Sequence, residues 1–221
     1  RGRGQPLLSL LRSDFMTWEQ MQKAALDKIF SRLNYGTEVS LTSPDVADYV
    51  RAMPHAAWFA MVDLAEVMPI YKSVEVELPD DDAKGNRLYH LKELAPDFMR
   101  FCPDRLTIRG ENNTFMRVND YQFDGMDTLF VPAEYVGTLV IWHEAYPENI
   151  DESTPGDTTF SLPEEAQRAI PLYIAAEVFK EDDISMATQY LNEYENVKQM
   201  LASRRQQTSS GGAWRSVTGW V

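Results

Sequence analysis

The chain has a single cysteine, Cys102, among its 221 residues, so an internal disulfide is excluded. We expect this thiol to be a small buried apolar group. The three histidines, His55, His90 and His143, are far apart and lack the short spacings of zinc ligands. His143 is expected to point outward from a strand in which Trp142 points inward. None of these residues therefore predicts a metal centre.

Several other signatures are missing as well. No apolar run approaches the roughly eighteen residues of a membrane span, and residues 1–15 do not have the pattern of a signal peptide. The chain has neither a phosphate-binding G-x-x-x-x-G-K-S/T loop nor a G-x-S-x-G nucleophile turn. The aspartates at 80–82 lack the spacing of a calcium-binding loop. We therefore expect no cofactor and no enzymatic activity, although paired carboxylates for glycoside hydrolysis can be distant in a chain and stay open.

Positive charge is scarce. The chain has 21 Lys and Arg residues and 34 Asp and Glu residues, which gives a net charge of −13. A surface that binds phosphates needs clustered basic residues, so general nucleic-acid binding is not expected. An acidic wall past which DNA slides remains compatible with this charge.

Two amphipathic segments open the chain and predict helices. In the first, Thr17 and Gln20 have the spacing of a capping box, followed by apolar residues at helical spacing. In the second, Ser43 is the predicted N-cap, with Pro44 at the first helical position. Pro54 then restarts the helical pattern. The first seventy residues are therefore predicted to be helical.

In the next section of the chain, apolar residues recur at every second position. Residues 71–78, YKSVEVEL, alternate as in a half-buried strand. Residues 105–118 predict a hairpin, and Asp124-Gly125 is a turn signal between two apolar runs. Residues 95–101 are expected to form a turn or one turn of helix, and residues 137–146 a strong closing strand. We expect six or so strands in a small antiparallel β domain.

Helices return after a linker that is rich in Pro, Gly, Asp, Ser and Thr. Pro171 is predicted to kink or split the first of them near Ile170, because proline lacks a backbone N–H. Asp182-Asp183 should end this helix and separate it from a long amphipathic helix that follows. The sequence thus predicts an α+β protein, in which an α-helical bundle of N- and C-terminal helices carries an inserted small antiparallel β domain and an extended C-terminal arm. The predicted divisions are 1–69 for the N-terminal helices, 70–146 for the β domain, 147–162 for the linker, 163–202 for the C-terminal helices and 203–221 for the arm.

Aromatic residues suggest two roles near the C-terminus. A row at helical spacing is typical of a core, with a binding surface as the alternative: Tyr173, Phe179, Tyr190 and Tyr194. In the arm no such periodicity supports the tryptophans, and Trp and Arg are favoured anchors at interfaces. The predicted partner-binding residues are therefore Arg204, Arg205, Trp214, Arg215 and Trp220.

The C-terminal half resembles the head–tail adaptor (connector) proteins of tailed bacteriophages. The resemblance rests on a closing strand that ends in Tyr146-Pro147, an acidic linker, the segments LPEEAQRAIPLYIAAEVFKEDD and ATQYLNEYE, and a polar C-terminal arm. The segment RSDFMTWEQMQKAALDKI near the N-terminus also looks like the first helix of such proteins. The β section resembles a domain inserted in longer relatives.

The resemblance implies a structural role without a cofactor or a catalytic residue. Such proteins form a ring, usually dodecameric, below the portal at the capsid vertex and join it to the tail. The implied partners are the portal protein, a further neck or tail protein and other copies of the chain, with genomic DNA passing unbound through the lumen. The chain would be made in the host cytoplasm and reside in the virion. Because like charges repel at low salt, we expect a monomer or weak oligomer before assembly.

Three alternatives stay open. Another neck or tail ring protein, such as a stopper or a tail terminator, has a mostly β fold, which the helical share of this chain disfavours. A hydrolase that acts on glycans could use the β domain as a substrate platform. A carbohydrate-binding module would bind sugars through exposed aromatic residues of the β section.

Overall fold

The chain folds into two compact units, seen in a computed structural model that describes residues 15–30, 40–80 and 84–209. The β unit is Pro69–Pro147, and the helical unit consists of the described residues before and after it. Helices lie at both ends of the described chain and the sheets are antiparallel, so the predicted α+β class is confirmed. Within the described residues, no helix is both long and apolar enough to cross a membrane.

Helix α1, Trp18–Phe30, begins with the predicted capping box. The backbone N–H of Thr17 donates to Oε1 of Gln20 over 2.9 Å, and the N–H of Gln20 donates to Oγ1 of Thr17 over 3.3 Å. These reciprocal bonds satisfy donors that have no partner inside the helix. The buried residues of α1 recur at helical spacing, namely Trp18, Met21, Gln22, Ala25, Leu26 and Ile29.

Helix α2, Ala47–Val67, follows a 3-10 turn at Pro44–Val46 and runs without a break through Pro54. The expected restart at Pro54 is therefore wrong. The apolar residues before and after Pro54 belong to one buried face, so packing outweighs the backbone hydrogen bond that proline removes. Ser43 precedes the turn without a capping bond from its side chain.

The described residues of the β unit form eight strands and a short helix. They are β1 Ile70–Leu78, β2 Asn86–His90, α3 Leu91–Leu94, β3 Phe98–Phe101, β4 Thr107–Arg109, β5 Phe115–Arg117, β6 Gln122–Asp124, β7 Thr128–Pro132 and β8 Gly137–Ala145. One sheet has the order β1-β8-β4-β5, with β3 also paired to β8, and the other has the order β2-β7-β6. The prediction of a turn or helical turn over 95–101 is wrong for residues 98–101. These residues form strand β3 because the backbone of β8 is there to pair with them.

Turn chemistry explains the two short hairpins. Asn112 and Asn113 have positive φ angles at the tip between β4 and β5, a conformation that asparagine tolerates. Gly125 has φ +69 between β6 and β7. Both hairpins were predicted, and both are confirmed.

The two sheets enclose one apolar core. Val74 and Val76 of β1 pack against it, while Glu75 and Glu77 point away, as the alternation predicts. The buried core residues come from both sheets and the segments between strands: Leu78, Leu91, Ala95, Phe98, Leu106, Ile108, Val118, Leu129, Val131, Leu139 and Ile141.

Three further helices complete the helical unit: α4 Glu164–Gln167, α5 Ile170–Val178 and α6 Ile184–Ser209. The break between α4 and α5 confirms the predicted split near Ile170. Asp183 ends the next turn and caps α6, because its Oδ1 accepts the N–H groups of Ser185 and Met186 over 3.0 Å each. Helix α5 packs against α1, α2 and α6, so N-terminal and C-terminal helices share one unit.

Helix α6 continues through Ser209, so the predicted extended arm does not begin at residue 203. Residues 203–209 continue the helix beyond Leu201, which is buried at 4% exposure. Residues 210–221, which make up the remainder of the predicted arm, lie outside the described residues.

The segment predicted as a linker, 147–162, packs against the start of α1. The N–H groups of Trp18 and Glu19 donate to the carbonyl oxygens of Thr158 and Gly156 over 2.8 Å each. A fully buried side chain, Gln167, ties this segment in place. Its Nε2 donates to the carbonyl oxygens of Phe160 and Leu162 over 3.0 and 2.7 Å, and its Oε1 accepts the N–H of Met16 over 3.0 Å.

Candidate interaction surfaces

Two of the predicted partner-binding residues lie on α6 and contact the helical unit itself. Nη1 of Arg204 is 3.6 Å from Oε2 of Glu165, and Nη1 of Arg205 donates to the carbonyl oxygen of Glu66 over 2.9 Å. Their guanidinium groups therefore help to hold the end of α6. The other three, Trp214, Arg215 and Trp220, lie outside the described residues, so their role stays a prediction.

In the predicted aromatic row, Tyr190 and Tyr194 are buried in the core, whereas Tyr173 and Phe179 are half-buried. Tyr194 is fully buried, and its hydroxyl donates to Oδ2 of Asp63 over 2.6 Å. Burial and this hydrogen bond raise the pKa of Tyr194 well above its usual value. Lys198 donates to the other oxygen of Asp63 over 2.5 Å, and Tyr173 packs on Tyr194 with ring centroids 5.0 Å apart. The row therefore joins α6 to α2 and α5.

An open groove lies between α2 and α5. Its volume is about 350 Å³ and its lining residues are Ala52, His55, Ala56, Phe59, Tyr173, Glu177 and Val178. The rings of His55 and Phe59 are 4.6 Å apart, and Phe59 is 45% exposed. The walls of the groove are mostly apolar, and His55, Tyr173 and Glu177 are ionisable side chains in its lining.

Large apolar side chains are exposed on both units. On the β unit the most exposed lie at the hairpins, and on the helical unit they lie along α2 and α6. Their exposed fractions are 61% for Phe115, 52% for Met116, 89% for Met126, 45% for Phe59, 71% for Ile184 and 55% for Met200. Where such side chains form a contiguous patch, they are typical of protein–protein contacts.

The guanidinium group of Arg105 lies over two aromatic rings on the outer face of the β1–β8 sheet. Its guanidinium carbon is 4.4 Å from the ring centroid of Tyr71 and 5.7 Å from that of Trp142. Arg105 and Tyr71 are both exposed. The sequence reasoning missed this stack, because Arg105 is the last residue of a 3-10 turn, Pro103–Arg105, and only the tertiary fold brings it beside β1 and β8. The alternation of residues 71–78 does place Tyr71 on the outer face.

His143 is buried, with 2% exposure, so its predicted outward position is wrong. It lies on the same face of β8 as the core residues Leu139 and Ile141. Its Nε2 is 3.3 Å from Oδ1 of Asp97, while Lys72 donates to Oδ2 of the same carboxylate over 2.7 Å. Burial acts to raise the pKa of Asp97, but the hydrogen bonds from Lys72 and His143 hold it below its usual value. Asp97 thus joins β1 to β8.

His55 lies in the helical unit, and His90 and His143 lie in the β unit. Across the part of the chain that the structure describes, no group of three or more His, Cys, Asp or Glu residues could hold a metal ion. Cys102 is buried, as expected.

A scan against models of known protein families gives no match. A search of curated proteins likewise finds no significant relative.

Proposed function

We propose that the chain is a head–tail adaptor of a tailed bacteriophage, a structural subunit of a ring that joins the portal to the tail. The proposal starts from the sequence resemblance. The segments that carry it form α4, α5 and α6, and most of their recurring Ala and Tyr residues are buried. These residues supply part of the described core of the helical unit, to which α1 and α2 also contribute.

The observation that carries the proposal is the exposure of large apolar side chains on both units of a strongly acidic chain. A ring subunit must present two different surfaces to its two neighbours and further surfaces to the partners above and below. Exposed residues such as Met126 on the β unit and Ile184 on the helical unit supply such separate contacts. The charge of −13 suits a lumen through which DNA passes, because a like-charged wall does not trap phosphates.

The Arg105 stack disfavours the carbohydrate-binding alternative. Sugar rings pack on exposed aromatic faces, and the guanidinium of Arg105 covers the face of Tyr71 at 4.4 Å. A sugar would have to displace this cation before it could stack there.

Electron microscopy of the purified protein, alone and mixed with the portal protein from the same genome, tests the proposal. We expect rings on the portal, twelve-fold if they match it, and monomers or small oligomers without it. Failure to associate with portal at any salt concentration, or a tight two-fold dimer at all concentrations, would exclude an adaptor role.

The predicted arm can be tested in the same assay. Because Arg204 and Arg205 already contact the helical unit, the informative variants are Trp214→Ala, Trp220→Ala and a truncation after Ser209. Loss of a Trp anchor at an interface typically costs about 2–4 kcal/mol, or roughly thirty- to several-hundred-fold in affinity for the portal. Unaltered affinity in all three variants would remove the arm from the interface.

A further inference from the structure

Arg105 differs from the other arginines of the β unit. This unit has five arginines. Four of them bind acceptors inside the unit. Arg87 donates to the carbonyl oxygens of Tyr135 and Pro79. The other three form ion pairs, namely Arg100 with Glu144, Arg109 with Glu75 and Arg117 with Asp104. Arg105 makes no ion pair with any described residue and contacts the rings of Tyr71 and Trp142. It is thus an unneutralised cation on a chain with excess negative charge.

The stack prepares Arg105 to bind a carboxylate. Contacts with the two rings restrict the guanidinium group, so less side-chain freedom is lost when a partner binds. Its N–H donors lie in the plane of the group, where they match both oxygens of a carboxylate. Arg, Tyr and Trp are also the residues that dominate binding energy at protein interfaces.

A carboxylate with matching properties lies in the turn between α5 and α6. Asp182 accepts the hydroxyl of Tyr49 over 2.6 Å, and Asp183 caps α6. Glu181 is exposed and makes no ion pair with any residue that the structure describes. Ile184, which follows these acids, is 71% exposed. The turn therefore presents one unused carboxylate beside an apolar side chain.

We propose that Arg105 of one copy binds Glu181 of a second copy, with Ile184 packed beside the aromatic rings of the stack. The charges and the apolar groups are complementary, and each surface lacks a partner for them within the described chain. The inference rests on the proposed ring, in which each subunit gives Arg105 to one neighbour and Glu181 to the other.

Charge reversal tests this contact in the full-length protein. Sedimentation velocity at low salt, over concentrations up to the millimolar range, measures self-association of the unmodified chain, Arg105→Glu and Glu181→Arg. Each single variant should associate about tenfold more weakly or worse, the range measured for close charge pairs across interfaces. Glu181→Arg is the sharper case, because it lowers the net negative charge and should otherwise favour association. Thermal unfolding of each variant checks that the fold is retained.

Mixing the two single variants separates a contact between copies from one within a copy. In an equimolar mixture every interface can pair opposite charges, so association should return to within about threefold of the unmodified protein. Arg51→Glu and Glu134→Arg make the same charge changes at exposed positions elsewhere and should not show this mutual rescue. A mixture that fails to recover, or an unmodified protein that does not associate at any concentration, overturns the proposed contact. Rings that form on the portal with both variants unaffected would overturn it while leaving the adaptor role in place.

Discussion

Replacing Gln167 with leucine should destabilise the helical unit by about 3 kcal/mol. The two side chains have similar volumes, so the change mainly removes hydrogen bonds. Gln167 is fully buried and makes three of them, two to carbonyl oxygens and one from a backbone N–H. A typical hydrogen bond contributes about 1 kcal/mol net, and a buried group left without a partner costs about 1–3 kcal/mol. Three broken bonds therefore set the expected loss.

Chemical denaturation followed by circular dichroism at the helical minimum measures this loss. Hydrogen exchange locates it, because the amide of Met16 should lose protection while amides of the β unit should not. Gln189→Leu is the matched control: Gln189 lies on the exposed face of α6, where its side chain bonds to Glu193 over 3.2 Å, so we expect a change near zero. A loss below about 1 kcal/mol for Gln167→Leu would show that these bonds do not hold the segment against α1.

Further outcomes follow from the same structure. Tyr194→Phe should reduce the loss of stability at alkaline pH. Because the pKa of Tyr194 is raised in the folded protein, its contribution to the free energy of unfolding is complete below about pH 10 and declines above that pH by up to about 1.4 kcal/mol per pH unit. Denaturation experiments across pH 9–12 measure this decline. Gly137→Ala should destabilise the β unit by about 1–3 kcal/mol, because φ is +115 and the new Cβ would lie 2.8 Å from a backbone oxygen. Gly85→Ala, with φ +91 but open space, should cost less in the same thermal assay. A fragment of residues 69–147 should fold alone, whereas a fragment of residues 160–203 should not melt cooperatively. Circular dichroism checks both, and an unfolded 69–147 fragment or a cooperatively melting 160–203 fragment would contradict the division into units.

Local signals made much of the fold predictable. The capping box at Thr17, the split near Ile170 and the turn at Gly125 each depend on residues close in the chain. The errors arise where distant residues decide. The strand at Phe98–Phe101 forms because β8 supplies an edge, and the inner face of β8 accommodates His143 because Asp97 lies 3.3 Å from its Nε2.

The candidate surfaces were harder to predict from the sequence, because they too depend on contacts between residues that are distant in the chain. Aromatic residues of the arm stand out by composition, whereas the stack of Arg105 exists only once β1 and β8 are paired. Two residues are brought beside Arg105 by that pairing, Tyr71 and Trp142, and they are far apart in the chain. No periodicity within one segment could have joined them.

The pairing of β1 with β8 also bears on how the two halves of the helical unit find each other. Ile70 and Ala145 are partners in the ladder, so the chain enters and leaves the β unit at neighbouring positions. Once this unit has folded, α2 and α4 are joined by an effective loop of roughly twenty residues instead of one of roughly ninety-five. Loop-closure entropy grows with the logarithm of length, so this shortening removes about 1.4 kcal/mol from the entropic cost of bringing the helices together. Early folding of the β unit would then speed assembly of the helical unit, and lesions in β1 or β8 would slow it.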